Sequence, residues 1–236
     1  DRNDQWYLPY FPVVKFDRAT TKVRLVFDAA AKDKTGTSLN SEVRETPNRL
    51  NDLNKTLTQM RKFKYAVMGD VSEMFLRIRL SKPERRFHRF FWKDKVFEFT
   101  RTLFGNKCSP NISQKVLELA ADMTDDPAVK EAIKNCTYMD DLMKSFSSEE
   151  EMLDLTKKVI AAFDKVDMKI AKFYSNSRLV NSSLPKEILS DKVGLKEGND
   201  EILEANKALG LIWDAKSDNF MFKCKFPSVE AFRKEM

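Results

Sequence analysis

The segment Tyr138-Met139-Asp140-Asp141 constrains this chain more than any other. Two adjacent acids inside the otherwise apolar run 136–146 make a poor core element and a good seat for a divalent cation, which prefers carboxylate oxygen. The economical local structure is a hairpin with the acids at its turn. A third carboxylate, Asp70, closes the apolar run Tyr65-Ala66-Val67-Met68-Gly69 just as abruptly. Two such strands ending side by side would gather Asp70, Asp140 and Asp141 into one pocket. The plainer alternative is a polar turn, and Asp125-Asp126, another acidic pair, is given no role.

The bulk properties bound the answer. At 236 residues and 42% apolar content the chain can bury a sizeable core. Its net charge of +6 is unevenly spread: residues 1–110 hold 23 basic and 13 acidic side chains, the remainder 19 and 23. The first half is therefore the candidate polyanion-binding half. Cys108, Cys136 and Cys224 lack CxxC spacing, which points to neither a disulfide framework nor a zinc knuckle and makes a reducing compartment the default. A single histidine, His88, leaves no histidine-based metal site or triad and reads as structural. No run approaches the ~18 apolar residues of a membrane span, so a soluble protein is expected. A start at Asp1 and a stop at Met236 inside a charged stretch read as a piece of something longer.

Strands and helices interleave. Residues 7–14 and 22–27 read as a hairpin, the second strand alternating basic with apolar and so half-buried with a cationic face. Leu50, Leu53, Leu57 and Met60 recur at helical spacing after Pro47, with Asn51, Asn54 and Lys55 outward. Residues 87–92 and 96–100 form an aromatic hairpin, and a helix follows Ser109-Pro110 through Val116, Leu117, Leu119, Ala120 and Met123. Asp126-Pro127 caps a second helix, and Ser148 with Glu151 forms a capping box for a third, whose buried stripe is Met152, Leu155, Val159, Ala162 and Phe163. Strands return at 168–174, 208–213 and 220–224. The expected class is α+β with a mainly antiparallel sheet and helices packed on one face.

The chain resembles reverse transcriptases, and within them the Pao/BEL group of LTR retrotransposons. Tyr7-Leu8-Pro9, residues 22–29, Ser38-Leu39-Asn40, Gly69 to Phe75, Phe104-Gly105 with Ser109-Pro110, Tyr138 to Asp141, Lys172 to Asn176 and Leu209 to Trp213 follow in the order that family uses. The resemblance implies a right-hand polymerase: fingers over 1–64 and 81–108, palm over 65–80 and 109–225 with a primer-grip hairpin, and the start of a thumb or linker at 226–236. It implies template-directed DNA synthesis with two Mg²⁺ ions, Mn²⁺ being an alternative, held by Asp70, Asp140, Asp141 and the Val71 carbonyl. Partners would be an RNA or DNA template with its primer, dNTP, and thumb, connection and ribonuclease H regions of the same polyprotein, with no membrane. The expected location is the cytoplasm within virus-like particles, with later nuclear entry.

Further roles are carried over position by position. Lys15 and Arg24 resemble the finger residues that grip the incoming triphosphate, a solvated basic strand face being the alternative. Phe75, five positions after Asp70, resembles the steric gate against a ribose 2′-hydroxyl, although an aromatic there also suits a core. Gly105 would let backbone approach the nucleotide or template, while Phe104 stands where the retroviral pattern has glutamine and so loses that hydrogen bond. Lys172 matches the lysine that protonates pyrophosphate. Tyr138, Met139, Leu209 and Gly210 would contact the primer. Two other readings remain: a catalytically inactive scaffold of the same shape that binds nucleic acid or protein, and an RNA-dependent RNA polymerase, which shares the acids but not Phe75.

Overall fold

A computed structural model describes residues 4–14, 23–190 and 211–221, together with the backbone of residues 207–208. Lys15, Leu209 and Gly210 lie outside the described residues.

A short antiparallel strand pair begins the described fold. Strands β1 (Tyr10–Val14) and β2 (Val23–Phe27) pair antiparallel, Tyr10 opposite Phe27. The expected half-burial is met only at the Phe27 end, because Phe11, Val23 and Leu25 are about half exposed. A capping box between Ser38 and Ser41 starts the single turn α1 (Leu39–Glu42). Helix α2 (Leu53–Met60) starts later than its leucine spacing predicts, since the Asp52 carboxylate accepts the Lys55 amide and fixes the N-terminus there. Asn51 is thus outside the helix, and its side-chain amide donates to the carbonyls of Lys134 and Thr137.

Strand β3 (Tyr65–Ser72) leads into the turns α3 (Met74–Arg77) and α4 (Lys82–Arg85), then the hairpin β4 (Arg89–Trp92) and β5 (Lys95–Glu98). The two hairpins stack through aromatic rings: Phe27 lies 5.0 Å from Phe90 and 4.7 Å from Phe99, edge to face. His88 is buried beside them, one ring nitrogen 3.0 Å from the Glu84 carbonyl and the other 2.7 Å from the Asn106 amide. Both nitrogens are satisfied, as a structural histidine requires.

Helices α5 (Ser109–Asp122) and α6 (Pro127–Asn135) precede the hairpin β6 (Thr137–Tyr138) and β7 (Asp141–Phe146). Then come α7 (Glu149–Asp164), β8 (Lys169–Ser175) and α8 (Arg178–Ser183), followed by β9 (Lys207–Ala208), β10 (Leu211–Asp214) and β11 (Asn219–Met221). Among the described residues no helix is long and apolar enough to cross a membrane.

The central sheet runs β6-β7-β3-β8 with every pair antiparallel. Strand β3 sits between two partners and is covered on both faces, so it reads as an unbroken apolar run instead of alternating. Val67 and Val71 face Leu117, Ile133, Val159 and Phe163 of the long helices. Ala66 and Met68 face the other way, against Met60 of α2 and Trp213 of β10. The class is the mixed helix and antiparallel sheet expected, refined by α2 and the last hairpin covering part of the second face. In α5 the buried face is Ser109, Ser113, Gln114, Leu117, Ala120 and Ala121, whereas Leu119 and Met123 are about half exposed. The apolar spacing that marks the helix does not by itself say which of its residues face the sheet. The small residues in fact turn inward, where they allow α5 to lie close to the sheet.

At the start of α7 only half of the capping box forms: the Ser148 hydroxyl accepts the Glu151 amide, while the Glu151 carboxylate takes the Ser147 hydroxyl. Ser148→Ala should therefore cost about 1 kcal/mol and lower Tm by about 2–4 °C. Glu151→Ala should cost less than half of that, and thermal denaturation of both variants measures the difference.

Candidate active site

The register of the central sheet makes the site. Antiparallel pairing of β3 with β7 runs from Tyr65 opposite Phe146 to Asp70 opposite Asp141 without a slip. Every step is fixed by side chains that must stay on their own face. The two strands consequently end with one carboxylate directly across from another. The turn of β6–β7 supplies the third, since Tyr138 pairs with Asp141 and leaves Met139 and Asp140 as the two turn residues. One oxygen from each of Asp70, Asp140 and Asp141 lies within 4.8 Å of the others.

The tight turn bends the backbone into a region that side chains disfavour. Met139 has φ +53, and its neighbours hold it there. The Gln114 side-chain amide donates to the Met139 carbonyl at 3.1 Å, and the Val71 amide donates to the Asp140 carbonyl at 2.7 Å. With Asn51 on Thr137, three donors from three different segments pin the hairpin that carries two of the acids. Gln114 and Asn51 were not singled out by motif. An amide on the buried face of an otherwise apolar or small-residue helix is the signal that could have found Gln114.

Lys172 Nζ donates to Asp70 Oδ2 at 3.1 Å, with its own side chain 67% exposed. Tyr138 and Met139 flank the triad, each partly buried against a different core cluster. Phe75 is almost fully buried and meets the exposed Phe104 edge to face at 4.8 Å. Gly105 has φ +89, and a Cβ there would sit 2.8 Å from the Phe27 carbonyl, so the close approach it makes is to the hairpin β1–β2. Arg24 is exposed on that hairpin, opposite Val13.

Three carboxylates this close repel one another. Burial, reinforced by Asp140 and Asp70, pushes the Asp141 carboxyl up to about 7, with Lys172 opposing. Burial also raises Asp140; its backbone hydrogen bond and Lys172 counter this, while Asp70 adds to it. A hard divalent cation fits such a donor set, because it neutralises the repulsion with the all-oxygen coordination it prefers.

A carboxyl whose value is raised on folding contributes its full stability below the unfolded value of 3.8, and that contribution is lost as pH rises through about 7. Asp141→Asn should therefore raise the Tm of metal-free protein at pH 8 by at least about 2–4 °C, with the gain disappearing near pH 4. Added Mg²⁺ should reverse the order, stabilising the native sequence but not the variant. Thermal scans at the two pH values, with and without Mg²⁺, measure both signs.

Comparison with known proteins reaches the same place from outside. In fold the chain is similar to the foamy viral protease-reverse transcriptase solved with an RNA/DNA hybrid, at 21% identity and TM-score 0.56 over 71% of this chain and 20% of that one. The foamy viral protein solved with double-stranded DNA gives 24% identity and TM-score 0.53 over 70% of this chain and 31% of that one. The chain thus spans about a fifth to a third of the solved chains it matches. No curated relative matches it. The sequence model described as reverse transcriptase (RNA-dependent DNA polymerase) matches residues 18–173, a stretch that begins before β2, ends within β8 and contains all three clustered aspartates as well as Lys172. With most of its length inside that match, the chain belongs to the reverse transcriptase (RNA-dependent DNA polymerase) family.

Proposed function

We propose that this chain forms the fingers (1–64 and 81–108) and palm (65–80 and 109–225) of a reverse transcriptase from a Pao/BEL-type LTR retrotransposon, catalysing template-directed DNA synthesis. The observation that carries the reading is the convergence, within 4.8 Å, of Asp70 from β3 with Asp140 and Asp141 from the β6–β7 hairpin. The ordered series of motifs through Trp213 supports the subgroup. The foamy viral protein of the same fold is solved with both an RNA/DNA hybrid and double-stranded DNA, and we take those polymer classes as the partners here.

The three carboxylates, with the Val71 carbonyl, would hold Mg²⁺. When bound, two such ions lower the pKa of the primer 3′-hydroxyl and offset charge on the triphosphate. The protein's own contribution is placement. The primer 3′-hydroxyl would lose its proton to solvent as its oxygen attacks the α-phosphorus, the bond from that phosphorus to the bridging oxygen of the β-phosphate breaks, and Lys172 would give a proton to the departing pyrophosphate. Arg24 and Lys15 would bind the triphosphate, and the basic amino-terminal half would follow the template backbone without reading sequence. Leu209-Gly210, ahead of β10, would hold the primer end.

In the full-length enzyme, Asp70→Asn or Asp140→Asn should lower Mg²⁺-dependent addition of one dNTP to a DNA primer on an RNA template by at least ~10³. Retained extension in either variant would falsify the ligand assignment, and binding of primer and template without any addition by the native enzyme would indicate an inactive scaffold. Phe75→Ala should narrow the preference for dNTP over rNTP by at least about tenfold, because it removes the group that excludes the 2′-hydroxyl. Competition between the two nucleotides measures that ratio.

A further inference from the structure

Strand β8 does not pair with β3 regularly. Met68 lies opposite Tyr174 and Asp70 opposite Ala171, so two steps along β3 face three along β8. The extra residue is a β-bulge at Lys172 and Phe173, across from Gly69. Lys172 has φ +52, a left-handed backbone that non-glycine residues disfavour.

The bulge changes which face each side chain takes. In a regular strand residues 170, 172 and 174 share one face, and residues 171 and 173 the other. Here Ile170 and Phe173 both enter the core beneath the long helices, while Tyr174 packs on the opposite side with Met68. Without the extra residue Lys172 would follow Ile170 into that core. With it, the amine reaches Asp70 on the sheet's other side. Since the Lys172 side chain is 67% exposed, the backbone path, rather than packing around the side chain, decides where the amine goes.

Space for this path comes from Gly69. A Cβ built there would lie 3.0 Å from Ile170 Cγ2 and 3.1 Å from Phe173 Cδ2. Gly69 has no left-handed φ to explain it, so close approach is its physical reason for being glycine. We propose that Gly69 is a positioning residue, whose missing side chain admits Phe173 to the core and so holds open the bulge that carries Lys172 to the aspartate cluster. The catalytic part of this inference rests on the polymerase reading, while the placement of Lys172 stands apart from it.

The test is a double-mutant cycle in the full-length enzyme, joined to a crystal structure of Gly69→Ala. The expected result is a fall in kcat of about 10- to 100-fold for Gly69→Ala with KM for primer–template unchanged, the scale of a misplaced proton donor. The same substitution in a Lys172→Ala background should change kcat less than about twofold, because its route of action is already gone. Phe173→Leu combined with Ile170→Leu, which removes the nearer Cγ2, should give the alanine room and restore most of the loss. The crystal structure should show the bulge shifted and Lys172 Nζ beyond hydrogen-bond distance of Asp70. Equal losses in both backgrounds, no loss at all, or an unmoved bulge would each overturn the proposal. Should the native enzyme add no nucleotide, the polymerase reading fails instead, and the crystal structure alone decides whether Gly69 places Lys172.

Discussion

The confrontation of Asp70 with Asp141 across two antiparallel strands is the constraint around which the rest of the structure is arranged. Like charges directly opposite in a sheet are destabilising, and no local propensity would bring them together. They are held by what lies behind them. Val67 and Val71 are sealed under α5, α6 and α7, and Ala66 and Met68 under Met60 and Trp213. Sliding β7 by one residue to separate the carboxylates would turn Leu142, Phe146 and their partners out of the core, each worth roughly 1.5–3 kcal/mol of burial. The repulsion is therefore retained as a local cost within a sheet that cannot shift, and a cation is the natural relief.

Backbone strain gathers at the same place. Three non-glycine residues with left-handed φ, Glu73, Met139 and Lys172, lie within three positions of a cluster aspartate in sequence or touch one in space. Such conformations persist only where surroundings over-determine them. For Met139 the surroundings are visible: Gln114 and Val71 supply donors to consecutive turn carbonyls. Removing either donor would leave a carbonyl unsatisfied beside charged groups, where that is expensive. The turn is thus held by groups that carry no charge.

What the sequence discloses follows from how local each determinant is. The acids at a hairpin turn, the N-caps at Asp126 and Ser148 and the stripe of α7 depend on residues a few positions apart, and each forms as its pattern predicts. The three-aspartate cluster was also legible, because two apolar strands ended in carboxylates. The buried face of α5 was not legible: spacing marks the helix, but only packing shows that Ser109, Ser113 and Ala120 turn inward while Leu119 and Met123 stay about half exposed. The start of α2 depended on one carboxylate–amide bond at Asp52. The bulge was hidden for a deeper reason, since it arises from the fit between Gly69 and Phe173, more than a hundred positions apart in the chain.

The same contrast separates the aspartate cluster from the hairpins beside it. The carboxylates are presented by β3 and by the β6–β7 hairpin, and the donors that fix them come from α5 and from β3 itself, so the geometry of the aspartate cluster lies within one packed sheet-and-helix unit. The segment after the aromatic hairpins is tied to that unit where the Ser109 hydroxyl, at the start of α5, donates to the Leu103 carbonyl. Cation affinity should accordingly follow the integrity of the packed unit, whereas selection of the nucleotide should follow the junction where Phe75, anchored in the core, meets the exposed Phe104. On the proposed polymerase reading, one fold would place charge neutralisation in the packed sheet-and-helix unit and substrate discrimination at the seam beside it.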